Sequence, residues 1–256
     1  MSDIRNDILV IGIGAGDPEY LTLQAVKAIG RADVFFLLDK GEEKDSLIAL
    51  RRTILARHAR PGHRVAVGRD PARDRTPTDY TGTIADWRQR RAGVCAELIA
   101  GLAEGETGAF LVWGDPSLYD STLGILADLH ERGMEFGVEV IPGISSVSAL
   151  AARHRIGLNR VGRPVQITTG RRLAEDGLPD GVDDVVVMLD ASPDFARYPE
   201  ADVYWGAYLG TQDELLAAGP AADVAAQIAE TRSTARAEHG WIMDTYLLRR
   251  PLTHES

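Results

Sequence analysis

Asp7-Ile8-Leu9-Val10-Ile11-Gly12-Ile13-Gly14-Ala15-Gly16-Asp17-Pro18-Glu19-Tyr20-Leu21 starts as an unbroken apolar burst and then breaks into glycines, and this stretch decides the fold. A short continuous apolar run of this kind reads as a strand buried on both faces, which is the signature of a parallel sheet. Its strand covers Asp7 to Ile13; Leu21 to Arg31 follows at helical spacing, and Val34 to Leu38 is a second apolar burst. The alternation continues outward with a helix at Ser46 to His58, a strand at Val65 to Val67, a helix at Thr83 to Leu102 and a strand at Ala109 to Trp113. A helix at Leu118 to Glu131, a strand at Val138 to Ile141 and a helix at Ser145 to Ala152 complete it. Five strands with helical crossovers predict an α/β layer architecture around a mostly parallel five-stranded sheet.

The segment HRIGLNRVGRP, from His154 to Pro164, is polar, arginine-rich and glycine-bearing, and reads as a linker. It places an N-terminal α/β domain at residues 1–157 and a C-terminal α/β domain at 158–256. In the second half, strands are predicted at Val165 to Thr168, Val185 to Leu189, Val203 to Leu209 and Trp241 to Leu248, with helices at Asp213 to Ala218 and Ala221 to Thr231. Strands here can neighbour one another without long crossovers, so this sheet is expected to be mixed.

With 256 residues, 45% hydrophobic and 26% charged, the chain has a globular composition and not that of a disordered or coiled-coil protein. Acidic residues outnumber basic ones 38 to 28, for a net charge of -10, which disfavours binding to a phosphate backbone. Only Lys27, Lys40 and Lys44 are lysines; the other basic residues are arginines, suited to two-pronged pairing with carboxylates. The single cysteine, Cys95, excludes an internal disulfide, and no secretory leader or bilayer-length apolar run is seen, so the expected location is the cytoplasm.

Three strand ends carry the chemistry. The first, Gly12-Ile13-Gly14-Ala15-Gly16-Asp17-Pro18, has glycines for a tight turn, but Asp17 stands where a dinucleotide fingerprint needs a third glycine, and its charge would repel a pyrophosphate. The second is Trp113-Gly114-Asp115-Pro116-Ser117-Leu118-Tyr119, in which Asp115 could bind a ligand or could cap a helix near Leu118. The third is Ile141-Pro142-Gly143-Ile144-Ser145-Ser146, with two hydroxyls that could contact a ligand or serve as N-caps. Ligands of open α/β sheets sit beyond the carboxyl ends of the strands, where all three turns fall.

In this order and spacing, GIGAGDPEYLT, VWGDPSLYDST and IPGISSVSALAA resemble the three N-terminal motifs of the tetrapyrrole (corrin and porphyrin) methyltransferases, which use S-adenosylmethionine. The resemblance covers essentially the whole chain. It implies a two-domain tetrapyrrole methylase-like fold with the active site in a trough between the domains. It also implies cofactor contacts from Gly114, Asp115, Leu118, Ser145, Ser146 and Met188, with Leu209 and Trp241 near the two remaining contact positions. Within the family, YWGAYLGTQDE, GWIMDTYLLRRP and the arginine-rich loop after the third strand most resemble the branch that methylates precorrin-5 at C-1 and releases acetate, in aerobic cobalamin synthesis. Ala15 and Asp120-Ser121 depart from the uroporphyrinogen branch. Relatives are commonly homodimers, so a homodimer is implied too.

Methyl transfer from a sulfonium is an in-line displacement that asks mainly for positioning. Deacetylation by water asks for a base or an oxyanion partner, for which Asp17, Asp115 and Tyr119 are the candidates. The substrate would carry many carboxylates. Gly14 at the first turn, Arg69, Arg73 and Arg75 in GRDPARDRTPTDY, and Arg153 beside the linker are the expected substrate contacts, and the long loop is a candidate lid. The six histidines lack metal-ligand spacing, and no metal is expected. Three other readings stay open: another methyltransferase of the same family, a tetrapyrrole carrier without chemistry, and a nicotinamide dehydrogenase.

Overall fold

The computed structural model describes residues 6–39, 45–71 and 80–251, which form two compact units. The first comprises residues up to Gly14 and Pro18–Ile144; the second comprises Ser145 onward together with Ala15–Asp17.

The first unit contains strands β1 (Asp7–Gly12), β2 (Val34–Asp39), β3 (Arg64–Arg69), β4 (Thr107–Val112) and β5 (Gly137–Ile141). They form one sheet in the order β3-β2-β4-β1-β5, every pair parallel. Helices α1 (Leu23–Ile29), α2 (Asp45–His58), α3 (Tyr80–Ala100) and α4 (Thr122–Glu131) make the crossovers. The period of two along each strand sorts the core into two layers. Leu9, Ile11, Phe35, Ala109 and Leu111 pack with Ala25, Ala28 and Ile29 of α1 and Ile54 and Leu55 of α2. Ile8, Val10, Phe36, Phe110 and Val112 pack with Ala92, Cys95 and Ile99 of α3 and Ile125, Leu126 and Leu129 of α4. Each fully buried Leu, Ile, Val or Phe contributes roughly 1.5–3 kcal/mol of transfer free energy, which explains why the strands read as unbroken apolar runs.

The second unit contains α5 (Ser146–His154), β6 (Val165–Thr169), α6 (Gly170–Asp176), β7 (Asp184–Met188), β8 (Asp202–Ala207), β9 (Leu215–Pro220), α7 (Ala221–His239) and β10 (Asp244–Arg249). Its sheet runs β6-β7-β10-β8-β9; β6 and β7 are parallel and the other three pairs antiparallel, so it is mixed. The core is Trp205, Tyr246, Val185, Val187, Val203 and Phe195, with Ile228 and Ala235 of α7.

Several boundaries differ from the sequence expectations. Asp213 to Ala218 is not a helix: Leu215–Pro220 is edge strand β9, whose residues alternate between half-buried and exposed and pair antiparallel with β8. Gly219-Pro220 cuts off any continuation of a helix there, and the alternation along the strand lets Leu215 and Ala217 reach the core. α7 continues to His239, β10 begins at Asp244, α4 begins at Thr122 and α3 at Tyr80. The sequence puts the domain boundary at 157/158, whereas the chain's own contacts divide it at Ile144/Ser145, because α5 packs on β8 and β10.

Candidate active site

In the first unit the ends of β1, β4 and β5 meet backbone to backbone. Gly14 and Gly114 form an isolated antiparallel bridge; the Gly114 amide donates to the Gly14 carbonyl at 2.8 Å, and the Gly14 amide donates back at 3.3 Å. A Cβ on Gly12 would lie 2.6 Å from the Gly143 nitrogen, and one on Gly143 would collide with the Gly114 carbonyl. Gly114 also sits at φ +71, where an L side chain is disfavoured. Glycine is therefore required by close approach and by torsion.

Asp115 locks this junction. One carboxylate oxygen accepts the Gly143 amide at 2.8 Å; the other accepts the Ser117 amide at 2.8 Å and the Ser117 hydroxyl. Burial alone would push its carboxyl up, but the Ser117 hydroxyl and the Gly143 and Ser117 amides outweigh that and hold it below the usual carboxylate range. A carboxylate so engaged is a weak base, so its arrangement fits an anchor between the second and third turns rather than proton abstraction. Leu118 is half-buried in the same turn. Tyr119 follows at φ +52 with its side chain 46% exposed, and the buried part of its ring pushes the hydroxyl above its ordinary value, so it stays protonated and can donate.

Gly14 thus joins Gly114 and Asp115, whereas Arg69 is exposed at the end of β3. Arg73 and Arg75, and with them most of the candidate lid, lie outside the described residues.

In the second unit, Ser145 is the N-cap of α5; its hydroxyl accepts the Ser148 amide at 3.2 Å. Ser146 accepts a hydrogen bond from the Thr245 hydroxyl at 3.2 Å, and Thr245 is the ladder partner of Met188. Thr245 therefore links two of the expected cofactor residues, although nothing in the sequence singled it out. Met188 is half-buried at the end of β7, and Leu189, immediately after it, is 65% exposed at φ +54. Leu189, missed from sequence, offers the freer apolar surface of the two.

Leu209 is buried, and its carbonyl packs so closely on Gly16 that a Cβ there would collide with it. Asp17 is half-buried beside this contact. Trp241 stacks edge-on against Tyr208 with centroids 5.2 Å apart, and its carbonyl accepts the Tyr208 hydroxyl at 2.6 Å, so it braces the core. Arg153 donates to Glu214 at 2.6 Å, and Glu214 in turn accepts the Gly210 amide at 2.8 Å. That engagement supports the turn after β8 and directs the guanidinium to a carboxylate of the chain itself.

Among the described residues no group of three His, Cys, Asp or Glu side chains could hold a metal ion, and no helix is long and apolar enough to cross a membrane. Burial pushes the Cys95 thiol up to about 11, so it is not a nucleophile at neutral pH.

In an open α/β sheet, glycine-lined turns at the carboxyl ends of neighbouring strands, as in the first unit, are where a small ligand can approach the backbone. The family model of the tetrapyrrole (corrin/porphyrin) methylases matches residues 7–225, and the chain belongs to that family. It is similar to the precorrin-6A synthase (deacetylating) of Sinorhizobium sp, with 50% identity over 248 residues that cover 95% of each chain. Among solved structures it is similar to a cobalamin synthesis related protein from Corynebacterium diphtheriae, with a TM-score of 0.82, 39% identity and coverage of 96% of this chain and 99% of that one. A uroporphyrin-III C-methyltransferase of Thermus thermophilus, solved with S-adenosyl homocysteine, shares the fold at a TM-score of 0.59 and 20% identity, over 95% of this chain and 92% of that one.

Proposed function

We propose that this chain is an S-adenosylmethionine-dependent C-methyltransferase of cobalamin biosynthesis that methylates precorrin-5 at C-1 and releases acetate, giving precorrin-6A. The observation that carries this reading is the 50% identity to the deacetylating precorrin-6A synthase over 95% of both chains. The residues fit the donor: Leu189 offers an apolar surface, Ser146 a hydroxyl, and the glycine junction a backbone that no Cβ obstructs.

Bound S-adenosylmethionine would supply an electrophilic methyl group. The chain's part in that step is to bind, orient and exclude water. Gly114 and Leu118 bring backbone and apolar surface to the site, with Asp115 fixing their turn, while Ser145 caps α5 so that Ser146 is held in place. For deacetylation, water adds to the acetyl carbonyl carbon, and a proton donor facing the carbonyl oxygen stabilises the charge that develops there. The protonated hydroxyl of Tyr119 suits that task, and Asp17 is the remaining candidate to take the proton from water. Collapse of the adduct breaks the bond from that carbon to the ring, the conjugated macrocycle takes the electron pair, and acetate leaves. Arg69, with Arg73 and Arg75, stays the proposed contact for substrate carboxylates, and Gly14 and Arg153 stay proposed substrate contacts. A homodimer and a cytoplasmic location belong to the same reading.

The test is a single-turnover reaction with S-adenosylmethionine and enzymatically prepared precorrin-5, read by mass spectrometry. Product that gains one methyl and loses acetyl as acetate is the expected result. Cofactor binding without turnover would instead point to another tetrapyrrole substrate or to a carrier.

A further inference from the structure

Leu189 is held in a conformation that nothing around it repays. A left-handed φ of +54 is disfavoured for leucine, and a side chain 65% exposed recovers little by packing. Among the described residues, the other left-handed non-glycine residues outside the methylase motifs have local reasons: Arg155 closes α5 as its C-cap, and Tyr208 is buried with its hydroxyl bonded to Trp241.

The restraint on Leu189 comes from below. Arg232, in the middle of α7, donates to the Asp190 carbonyl at 2.6 Å and to the Ala191 carbonyl at 3.3 Å, the two that follow Leu189. Its own position is fixed by Asp244, which it meets at 2.6 Å and 3.3 Å and which also accepts the Trp205 indole at 2.9 Å. The Asp190 side chain is held by the Tyr246 hydroxyl at 2.6 Å and the Ser192 amide at 2.9 Å. A guanidinium that grips main-chain carbonyls fixes torsions, not only helix packing.

We propose that Arg232 is a positioning residue for the methyl donor: by clamping the Asp190 and Ala191 carbonyls it keeps Leu189 left-handed and its side chain presented to the cofactor. This rests on the reading above that the turn after β7 contacts S-adenosylmethionine. In this proposal Arg232 acts through the turn that it holds.

The test is a double-mutant cycle of Leu189→Gly and Arg232→Gln, with the dissociation constant of S-adenosylhomocysteine measured by calorimetry and Tm measured beside it. Leu189→Gly removes the apolar contact and relieves the torsion, so it weakens binding with no fall in Tm. Arg232→Gln weakens binding about tenfold if the presented conformer drops to roughly one molecule in ten. In the Leu189→Gly background it lowers Tm but adds no further loss of affinity. Equal loss in both backgrounds, or no loss in either, overturns the proposal, as does unchanged affinity in Leu189→Gly. Should Arg232→Gln not fold, Tyr246→Phe, which deletes one hydroxyl from the same clamp, is read by the same criteria. Failure of the unaltered protein to bind S-adenosylhomocysteine would remove the underlying cofactor reading first, and is seen before any variant is made.

Discussion

Asp115 is a proposed cofactor contact whose hydrogen bonds also hold two turns together. Three donors converge on its carboxylate from two turns, so Asp115→Ala frees the second turn from Gly143 and strands an amide. The expected cost is about 1–3 kcal/mol in urea unfolding, with loss of S-adenosylhomocysteine binding; cofactor affinity that survives unaltered would refute the assignment of this turn. The pH dependence has a definite sign. A carboxylate whose folded pKa is depressed adds stability above its unfolded pKa, about 3.9, and loses it as pH falls through the lower folded value. The difference in urea midpoint between the unaltered protein and Asp115→Asn is therefore expected to be full at neutral pH and to shrink below about pH 4. Tyr119 gives a separate prediction: with its hydroxyl held protonated as a donor, Tyr119→Phe should slow acetate release while leaving cofactor affinity in place, as measured by rapid quench and calorimetry.

Among the elements, ion pairs explain where the arginines go. Asp184, fully buried at the start of β7, receives Arg249 at 2.6 Å and Arg160 at 3.3 Å, and these arginines also hold the carbonyls of Gly157 and Arg250. Replacing Asp184 by Ala leaves two guanidiniums without their buried counter-charge, for an expected loss of about 3–5 kcal/mol in denaturant unfolding. Arg172→Ala, on the exposed face of α6, should change stability by less than about 1 kcal/mol. The three strand-end motifs were legible in the sequence because an apolar burst that stops at glycine has few other readings. The partners of the arginines were not legible: Arg153 with Glu214 and Arg160 with Asp184 are pairs remote along the chain. Likewise β9 read as helix because Leu215 to Ala218 satisfies either period over so few residues, and only the pairing partner β8 decides. Leu189 was invisible for another reason, since the sign of a single φ leaves no trace in residue type when the residue is leucine.

The whole molecule is acidic, with a net charge of -10, and its proposed substrate carries carboxylates. Encounter is then opposed at long range, and added salt screens the repulsion. Turnover efficiency for the tetrapyrrole is expected to rise between about 10 mM and 100 mM salt, measured at saturating S-adenosylmethionine; a fall would mean that local arginines govern capture. The parallel sheet, the mixed sheet and their order along the chain were legible because both follow from strand spacing. The division at Ile144/Ser145 was not, since α5 looks like the last crossover helix of the first sheet until its packing is seen.

The assignment of Ala15–Asp17 to the second unit, where Gly16 lies against the carbonyl of Leu209, bears on how the protein is made. Leu209, which receives those three residues, is synthesised only after the whole of the first unit. The second unit cannot complete its contacts until the chain between is synthesised, and a fragment that starts at Ser145 carries every strand of the mixed sheet without the tripeptide that closes against it. Severing the gene at the domain boundary would thus yield one half with a dangling thread and another with an unfilled seam.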